Sequence, residues 1–487
     1  MGFFHRINRK IVLYLLGVVT LILGMICIVP IIYSILSKET TEVLPFVISS
    51  LCFILLACVL MYMNRDYHLP ISKKDGQLII GLLWIIIPLL GAMPYVFYPS
   101  LFSFIDAVFE SFSGFTTTGS TILDDLNSVP HTVLVYRAMT QWMGGLGFAV
   151  FIILILKGKA GLMINIFNAE FSSVYKNRLY PHLFDTALRI MLIYSFFTVA
   201  CFLFLQAGSM NYFQAFCHSL TTIATGGFST ENGNIGVFTD SYTQWVIAIF
   251  MLLSGTSYFV YIRSFRRDFK VLKDEQFLSY LLLIVVCSLC FIIYWSSIKD
   301  LTIWDKVRES FFYVVSITST TGFDIKSQHI GAFVSSALVF LMFIGGCSAS
   351  SASGLKVIRV ITLFKYNKSA MKKIFHPHAI IPVRINNKII TDEELKNTFG
   401  FFFLYIMVFI VGIFALACCG NDFYNSFTLS VANLGNIGPV VGSYLQGFTY
   451  SSLNIASQFV IVVLMLIGRL EIFAFFALLS KTLWSRN

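Results

Sequence analysis

Residues 115–120 read FTTTGS, and three later segments likewise end an apolar run of helix length at a glycine turn. They are IATGGF at 223–228, STTGFD at 319–324 and ANLGNI at 432–437. Their glycines at 119, 226, 322 and 435 lie 107, 96 and 113 residues apart, and ten positions before them stand Phe109, Phe216, Phe312 and Asn425. The shared spacing predicts four copies of one structural unit.

A short helix that ends at such a turn has a physical use inside a membrane. Its C-terminal end is partially negative and favours a cation, and the glycine permits backbone angles that turn carbonyl groups inward. Four such loops around an axis would form a ring of carbonyl oxygens that can replace the water shell of a monovalent cation. The alternative is four ordinary helix C-caps followed by loops. The predicted ion ligands are Thr117, Thr118, Gly119, Ala224, Thr225, Gly226, Thr320, Thr321, Gly322, Asn433, Leu434 and Gly435.

The composition indicates an all-α polytopic membrane protein. Hydrophobic residues make up 57% of the 487 residues and charged residues only 12%, which excludes a soluble domain with a polar surface. Ten segments are long enough to span a bilayer: 11–36, 44–63, 76–98, 131–156, 182–207, 241–262, 276–298, 331–360, 396–419 and 452–480. Four shorter apolar segments are predicted to be re-entrant pore helices: 103–117, 212–224, 306–320 and 421–433.

The net charge of +10 follows the membrane topology and does not indicate nucleic acid. Twenty-seven of the 34 Lys and Arg fall in segments that are cytoplasmic if the N-terminus is inside. This positive-inside bias predicts cytoplasmic N- and C-termini and four pore loops on the external side.

The spans group into an accessory two-helix hairpin (1–75) and four helix–pore-loop–helix repeats around one pore. The repeats cover 76–160, 161–275, 276–395 and 396–487, and the third also holds a cytosolic linker. Within that linker, β-branched residues around Asn386 and Asn387 predict a small β-hairpin.

Ten small residues, GGCSASSASG at 345–354, lie about halfway across the third inner helix. Small residues permit close helix packing. Serine side chains, however, compete for backbone hydrogen bonds, and an unwound loop is tolerated where it lines a water-filled cavity. The residues alone leave both interpretations open. If the segment is a loop that acts as a gate, Gly345, Gly346 and Gly354 are its candidate gating residues.

Two arginines lie within predicted spans. Arg137 is close to the external end, and snorkelling or pairing with a pore helix is favoured over a gating role. Arg469 lies roughly 18 Å from the cytoplasmic end, where it costs at least about 3 kcal/mol. We therefore predict that it lines the pore below the filter, contacts the 345–354 segment and repels cations; the alternative is a pair with Glu471 or a pore-helix acid. His218 is predicted to be a buried, hydrogen-bonded residue.

The segments that follow the four loops carry five acidic residues against Lys326. Such a negative external mouth raises the local cation concentration without choosing among cations. The five are Asp124, Asp125, Glu231, Asp240 and Asp324.

Three motifs resemble the TrkH family of bacterial potassium uptake proteins, which belongs to a superfamily that includes KtrB. They are TTTG at 116–119, QWMGGLG at 141–147 and INIFNAE at 164–170. The resemblance covers essentially the whole chain, and the N-terminal hairpin is more similar to TrkH than to the shorter KtrB. It implies potassium uptake across the bacterial inner membrane, with an intramembrane gating loop at 345–354.

The same resemblance implies a homodimer in which each subunit has its own pore. Control would come from a cytosolic nucleotide-binding ring, TrkA, and the chain would bind potassium as its transported ion but no organic cofactor. The fourth loop departs from Thr-x-Gly, which the family tolerates, but four equivalent ion sites are then in doubt.

The chain fits two other functions, ion-coupled symport and intramembrane proteolysis, less well. A sodium- or proton-coupled potassium symporter needs a relay or sodium site at mid-membrane, yet Arg469 and Glu471 are the deepest obvious charges. An intramembrane protease would use Asp106 and Asp422, but both lie at pore-helix starts near the outside. The chain is therefore predicted not to be an enzyme.

Overall fold

The computed structural model describes most of the chain. The described residues are 9–38, 42–66, 73–155, 183–298, 302–325, 330–379, 381–438, 449–470 and 472–480. The linker motif at 164–170, Lys326 and Glu471 lie outside these ranges.

Three helices form the accessory hairpin before the first repeat. They are Arg9–Ile26, Ile28–Ser37 and Leu44–Met63. Gly24 brings the first and third helices close together, because the Ser50 hydroxyl donates to the Gly24 carbonyl at 2.9 Å and a Cβ at Gly24 would lie 3.0 Å from the Ile54 side chain. The buried face of this pair includes Leu15, Phe46 and Phe53.

Each of the four repeats contains an outer helix, a pore helix and an inner helix, as the sequence predicts. The outer helices are Lys73–Gly91 with its extension Met93–Val96, Leu183–Gln206, Glu275–Tyr294 and Asp392–Cys418. The pore helices, numbered 1 to 4 here, are Phe104–Phe115, Tyr212–Ile223, Ile303–Thr318 and Phe423–Leu434. The inner helices, numbered in the same way, consist of His131–Leu146 and Phe148–Ile155; Ser241–Gly255 and Tyr258–Phe265; Ala332–Ile344 and Val357–Phe375; Ile455–Leu470 and Ile472–Leu479.

The pore helices begin at side chains that cap them. Ser103 and Asn211 form capping boxes with Asp106 and Gln214, while Thr302 and Asp422 accept from backbone N–H groups of the third and fourth pore helices. These bonds satisfy N–H groups that a helix start leaves without a partner. Three pore helices have 12 residues and the third has 16, one turn more.

Continuous inner helices were predicted in repeats 1, 2 and 4, and this was wrong. Inner helix 1 ends at Leu146 because Gly147 adopts a φ of +84°, which lies outside the helical region. The two parts of inner helix 2 meet at 87° and those of inner helix 4 at 113°. In repeat 3, residues 345–356 separate two helices, so the predicted loop is present.

The span count is compatible with the ten predicted segments without reproducing them one by one. Among the described residues, six helices are long and apolar enough to cross a membrane, and the number rises to eight if each of the two bent pairs is one span. The remaining predicted spans, 131–156 and 331–360, are the interrupted inner helices 1 and 3. Side chains that face outward are apolar, as in Leu192, Phe196 and Leu203 of the second outer helix, each about 60% exposed, as lipid contact requires.

The β-hairpin predicted around Asn386 and Asn387 is confirmed. Strands Arg384–Ile385 and Lys388–Ile389 pair antiparallel. The turn residues Asn386 and Asn387 have φ values of +50° and +62°, which a two-residue hairpin of this kind requires. The Asn386 side chain bonds to the start of the third outer helix, through Glu275 N and Asp274 Oδ2, both at 2.8 Å.

Candidate ion pathway

The loops that follow the four pore helices share one backbone conformation. The helix C-caps are Thr116, Ala224, Ser319 and Gly435. The next residue has φ between +51° and +58° in every repeat: Thr117, Thr225, Thr320 and Asn436. Two positions further on, a glycine has φ between +79° and +82°: Gly119, Gly227, Gly322 and Gly438. We call these four loops the filter loops.

Backbone hydrogen bonds repeat in the same register. The first positive-φ residue donates to a carbonyl three residues earlier, as in Thr117 N to Gly114 O at 3.0 Å and Asn436 N to Asn433 O at 3.2 Å. The following residue donates to a carbonyl five residues earlier: Thr118 to Ser113, Gly226 to Thr221, Thr321 to Ser316 and Ile437 to Ala432, all at 2.9 Å. The filter loops are therefore four copies of one structure.

This register corrects two equivalences drawn from the sequence. The counterpart of Gly119 is Gly227 rather than Gly226 in repeat 2, and Gly438 rather than Gly435 in repeat 4. The predicted ligands Asn433 and Leu434 belong to the last turn of the fourth pore helix, and Gly435 caps it. The sequence does contain the signal, since 117–119, 225–227, 320–322 and 436–438 all read Thr or Asn, any residue, then Gly.

Neighbouring filter loops contact one another closely and link repeats 4, 1, 2 and 3 in that order. A Cβ added to Gly119 would overlap the Gly226 carbonyl oxygen. In the same way, one at Gly227 would overlap the oxygen of Thr321, and one at Gly438 that of Thr118. These three glycines are therefore needed for close approach of the neighbouring loop as well as for their own φ.

Side chains add further links between repeats 4, 1 and 2. Asn436 Nδ2 donates to Thr118 Oγ1 at 2.9 Å, and Ser120 Oγ donates to Asn433 Oδ1 at 2.8 Å. Gln141, from inner helix 1, donates to the Gly226 carbonyl at 2.7 Å and accepts from Phe228 N at 3.2 Å. Sequence reasoning used Gln141 only as part of a motif and missed that it braces the second filter loop.

Behind the first filter loop lies a buried ion pair between Arg137 and Glu110 of pore helix 1. Their side chains are 1% and 0% exposed, and Arg137 Nε donates to Glu110 Oε1 at 2.7 Å. The guanidinium also lies over the Phe228 ring, 4.1 Å from its centre. Pairing with a pore helix, the favoured interpretation of Arg137, is therefore confirmed; Glu110 was not singled out from the sequence.

His218 occupies the position in pore helix 2 that Glu110 occupies in pore helix 1. Its Nδ1 lies 2.9 Å from the Gln214 carbonyl and its Nε2 lies 3.2 Å from Ser229 Oγ. The ring is fully buried. The prediction of a buried, hydrogen-bonded histidine is confirmed.

The external acidic residues divide into two groups. Asp124 and Asp125 are exposed; Asp125 accepts from the Asn232 amide at 2.8 Å, and this bond holds the pKa of its carboxyl below the usual value. Asp240 instead caps inner helix 2, and Asp324 is buried and accepts from the Tyr313 hydroxyl. Glu231 and Asp240 are partly exposed, so burial removes only Asp324 of the five predicted carboxylates from the solvent-facing mouth.

The broken inner helices meet below the filter loops, at the segment 345–356. Cys347 N donates to Gly255 O at 3.0 Å, where inner helix 2 ends, and Tyr258 N donates to Ala349 O at 2.8 Å where it resumes. On the filter side, Ser353 N donates to Thr320 Oγ1 at 3.0 Å. These bonds satisfy backbone groups that an interrupted helix would otherwise leave without partners inside a membrane.

Arg469 connects this loop to inner helix 1. Its guanidinium donates to Ser351 O at 2.8 Å and to Ser353 Oγ at 3.2 Å on the loop. It also donates to Gly144 O at 2.6 Å and Gly145 O at 3.2 Å, near the break of inner helix 1. The structure thus brings Arg469 against the 345–354 segment. The alternative partner Glu471 lies outside the described residues.

These features together define a polytopic α-helical membrane protein of the pore-loop class, with four pseudo-symmetric repeats and one central pathway. Asp106 takes part in the capping box of pore helix 1, and Asp422 caps pore helix 4.

Comparisons with known proteins agree with this class. The model of the family described as "TrkH: Cation transport protein" matches residues 42–487, so the chain belongs to the TrkH family. This is a family of transport proteins rather than enzymes, as predicted. The chain is 37% identical over 438 residues to the Trk system potassium uptake protein TrkH of Salmonella typhimurium, covering 88% of this chain and 89% of that protein.

Two further relatives come from one organism, Vibrio parahaemolyticus. Its Trk system potassium uptake protein TrkH is 31% identical over 487 residues, covering 97% of this chain and 99% of that one. A crystal structure of the potassium transporter TrkH from Vibrio parahaemolyticus superposes with a TM-score of 0.89 at 27% identity, covering 98% of this chain and 100% of that chain. The likeness therefore extends over the accessory hairpin and all four repeats.

Proposed function

We propose that this chain takes up potassium across the bacterial inner membrane through a selectivity filter of backbone carbonyls. The observation that carries the proposal is the fourfold repetition of one filter-loop conformation, with close contacts that link the loops of repeats 4, 1, 2 and 3. Along each filter loop, φ is positive, then negative, then positive, and this alternation turns successive carbonyls toward one side. A ring of such carbonyls can replace the hydration shell of a potassium ion.

The proposed ligands follow the structural register of the filter loops. They are the carbonyl-bearing residues Thr117, Thr118, Gly119, Thr225, Gly226, Gly227, Thr320, Thr321, Gly322, Asn436, Ile437 and Gly438. The sites are not equivalent, since the Gly226 carbonyl already accepts from Gln141. The C-terminal ends of four pore helices point at the same region and add partial negative charge there.

Gating is proposed to reside in the 345–354 loop and Arg469. The loop is bonded to the filter through Thr320 and to Arg469 through Ser351 and Ser353. Gly345 and Gly354 have φ values of +71° and +83°, so the ends of the loop adopt angles that other residues rarely reach. With Arg469 in place, both the loop and a positive charge obstruct the path below the filter; opening requires the two to separate.

The partners of this chain are proposed by analogy with relatives that are named as parts of a Trk system. They are a second copy of the chain, in a homodimer with one pore per subunit, and a TrkA-type nucleotide-binding ring on the cytosolic side. The charge distribution along the chain favours cytoplasmic termini. The cytosolic β-hairpin, which is fixed to the third outer helix, is a surface for such a ring.

Flux into liposomes tests the function. Purified protein should admit potassium or rubidium when the only gradient is that of the ion itself. Strict dependence on a sodium or proton gradient would favour the coupled symporter instead. Absence of potassium flux from correctly inserted wild-type protein and from Arg469→Ala alike would refute the proposal.

A further inference from the structure

We propose that three side chains on the pore helices set how strongly the pore prefers potassium over sodium, by fixing the outer ends of the filter loops. The inference rests on the proposed function. Three side-chain hydrogen bonds, which we call the filter bridges, carry it. They are Thr121 to Glu110, Ser229 to His218 and Tyr313 to Asp324.

The filter bridges occur at one place in three repeats. Each spans 11 residues, with bond lengths of 2.9, 3.2 and 2.8 Å. In each, the pore-helix partner stands nine positions before the positive-φ glycine of the filter loop, and the other partner stands two positions after that glycine. These glycines are Gly119, Gly227 and Gly322. The backbone bonds described above hold the inner end of a filter loop to its pore helix, and a filter bridge holds the outer end to the same helix.

The chemistry of the filter bridges differs from repeat to repeat. In repeat 1 the Glu110 carboxylate also accepts from Ile122 N at 3.2 Å and from Arg137, so this bridge is charged. In repeat 2 the Gln214 carbonyl can only accept, so His218 Nδ1 carries the proton and Nε2 accepts from the Ser229 hydroxyl. Repeat 3 has a phenol that donates to a carboxylate.

Repeat 4 has Leu429 at this position of its pore helix, and a leucine side chain forms no hydrogen bond. The filter loop of repeat 4 is held by other bonds: Asn436 Nδ2 donates to Thr118 Oγ1 of repeat 1 and to the Met465 carbonyl of inner helix 4, both at 2.9 Å, and Asn433 of pore helix 4 accepts from Ser120. Among the described residues, three filter loops are therefore bridged to their own pore helices, and the fourth is held by repeat 1 and by its own inner helix. This also gives the departure from Thr at Asn436 a structural role.

A filter bridge can affect selectivity because sodium is smaller than potassium. To coordinate sodium as closely as it coordinates potassium, the carbonyl ring must contract. The energy of this contraction depends on how firmly each filter loop is held. Removing a filter bridge lowers that energy and favours sodium more than potassium. The change in selectivity on removing a filter bridge therefore measures how much the stiffness of the filter contributes to the preference for potassium.

Tyr313→Phe is the cleanest perturbation, because it deletes one hydroxyl and keeps the ring. The matched control is Tyr405→Phe on the fourth outer helix: Tyr405 is also buried, 2% exposed, and its hydroxyl has no hydrogen-bond partner among the described residues. Rubidium flux into liposomes is measured with and without competing sodium. We expect Tyr313→Phe to lower the preference for rubidium over sodium about fivefold, corresponding to about 1 kcal/mol, and Tyr405→Phe to leave it unchanged.

Three outcomes would overturn the inference. They are an unchanged ratio in Tyr313→Phe, an equal change in Tyr405→Phe, and a fall in flux for all ions without a change in ratio. Absence of potassium flux from both the wild-type chain and Arg469→Ala would refute the proposed function itself and is recognised before Tyr313→Phe is compared. If Tyr313→Phe inserts poorly, the thermal midpoint in potassium and in sodium serves instead: the bridge predicts a smaller potassium-specific stabilisation than in wild type, and an equal one contradicts it.

Discussion

Replacing Arg469 with alanine tests the gate most directly. The guanidinium makes two hydrogen bonds to the 345–354 loop and two to inner helix 1, with lengths from 2.6 to 3.2 Å. Alanine removes all four together with the positive charge. The loop then loses its attachment to inner helices 1 and 4.

The size of the effect follows from the two bonds to the loop. A hydrogen bond from a charged group contributes about 1.5–3 kcal/mol, so losing two destabilises the closed loop by about 3 kcal/mol or more. That would raise the ratio of open to closed pores about a hundredfold. Water that enters the space left by the guanidinium restores part of the lost stability of the closed loop. We therefore expect rubidium uptake to rise at least about tenfold.

The assay is rubidium uptake into liposomes without any regulator, normalised to the amount of inserted protein. Arg469→Lys and Arg469→Gln separate the two contributions. If the charge is the main barrier, lysine keeps flux low and glutamine raises it; if the hydrogen bonds dominate, both variants raise it. Uptake by Arg469→Ala that equals or falls below wild type, with normal insertion, would refute the proposed gate.

Three further predictions concern the filter and its surroundings. Gly438→Ala should abolish uptake, because residue 438 has a positive φ and the new Cβ would overlap the Thr118 carbonyl. Gly435→Ala should retain uptake, because residue 435 has a φ of −77° and the new Cβ would meet the flexible end of a side chain at 3.0 Å. The reverse result in the flux assay would restore the sequence-based register. Glu110→Gln should lower stability by about 3–5 kcal/mol, since it leaves a buried guanidinium without its carboxylate, and adding Arg137→Met should recover part of the loss in thermal denaturation; a double variant no more stable than the single one contradicts this. The pKa of Asp125 is depressed, so its charge is lost only below its usual range, and uptake at low potassium concentration should not change between pH 7 and 5 on its account; a decline in that range that Asp125→Asn abolishes would count against it.

Much of the fold could be predicted because a membrane makes local sequence decisive. Apolar length separates spans from the shorter pore helices, and the distribution of Lys and Arg predicts their orientation. The repeated glycine turns predicted four units, and the run of small residues at 345–354 indicated a loop as one of two possibilities. Arg469 could be placed near that loop because a deep charge must face a cavity or a partner.

The register of the filter loops could not be read as reliably. Gly226 and Gly435 looked like the counterparts of Gly119 because each is the first glycine after an apolar run of helix length. A helix ends where the next backbone hydrogen bond of the helix does not form. Where that happens depends on how the filter loop packs against its neighbour. The breaks in inner helices 1, 2 and 4 were missed for a similar reason: partners distant in sequence, Arg469 and the 345–356 segment, satisfy the carbonyls at the first two.

The sequence by itself determined that this is a membrane protein with four pore-loop repeats, since hydrophobic length, charge distribution and repetition are properties of the chain alone. Only the tertiary structure decided which residues share a position in the ring, that Glu110 lies opposite Arg137, and that the loop, Thr320 and Arg469 form one connected set. The physical reason is that these features depend on contacts between residues well separated along the chain, from 27 residues for Glu110 and Arg137 to 118 for Ser351 and Arg469. A side chain's partner across such a distance is fixed by packing geometry, which local sequence patterns do not contain.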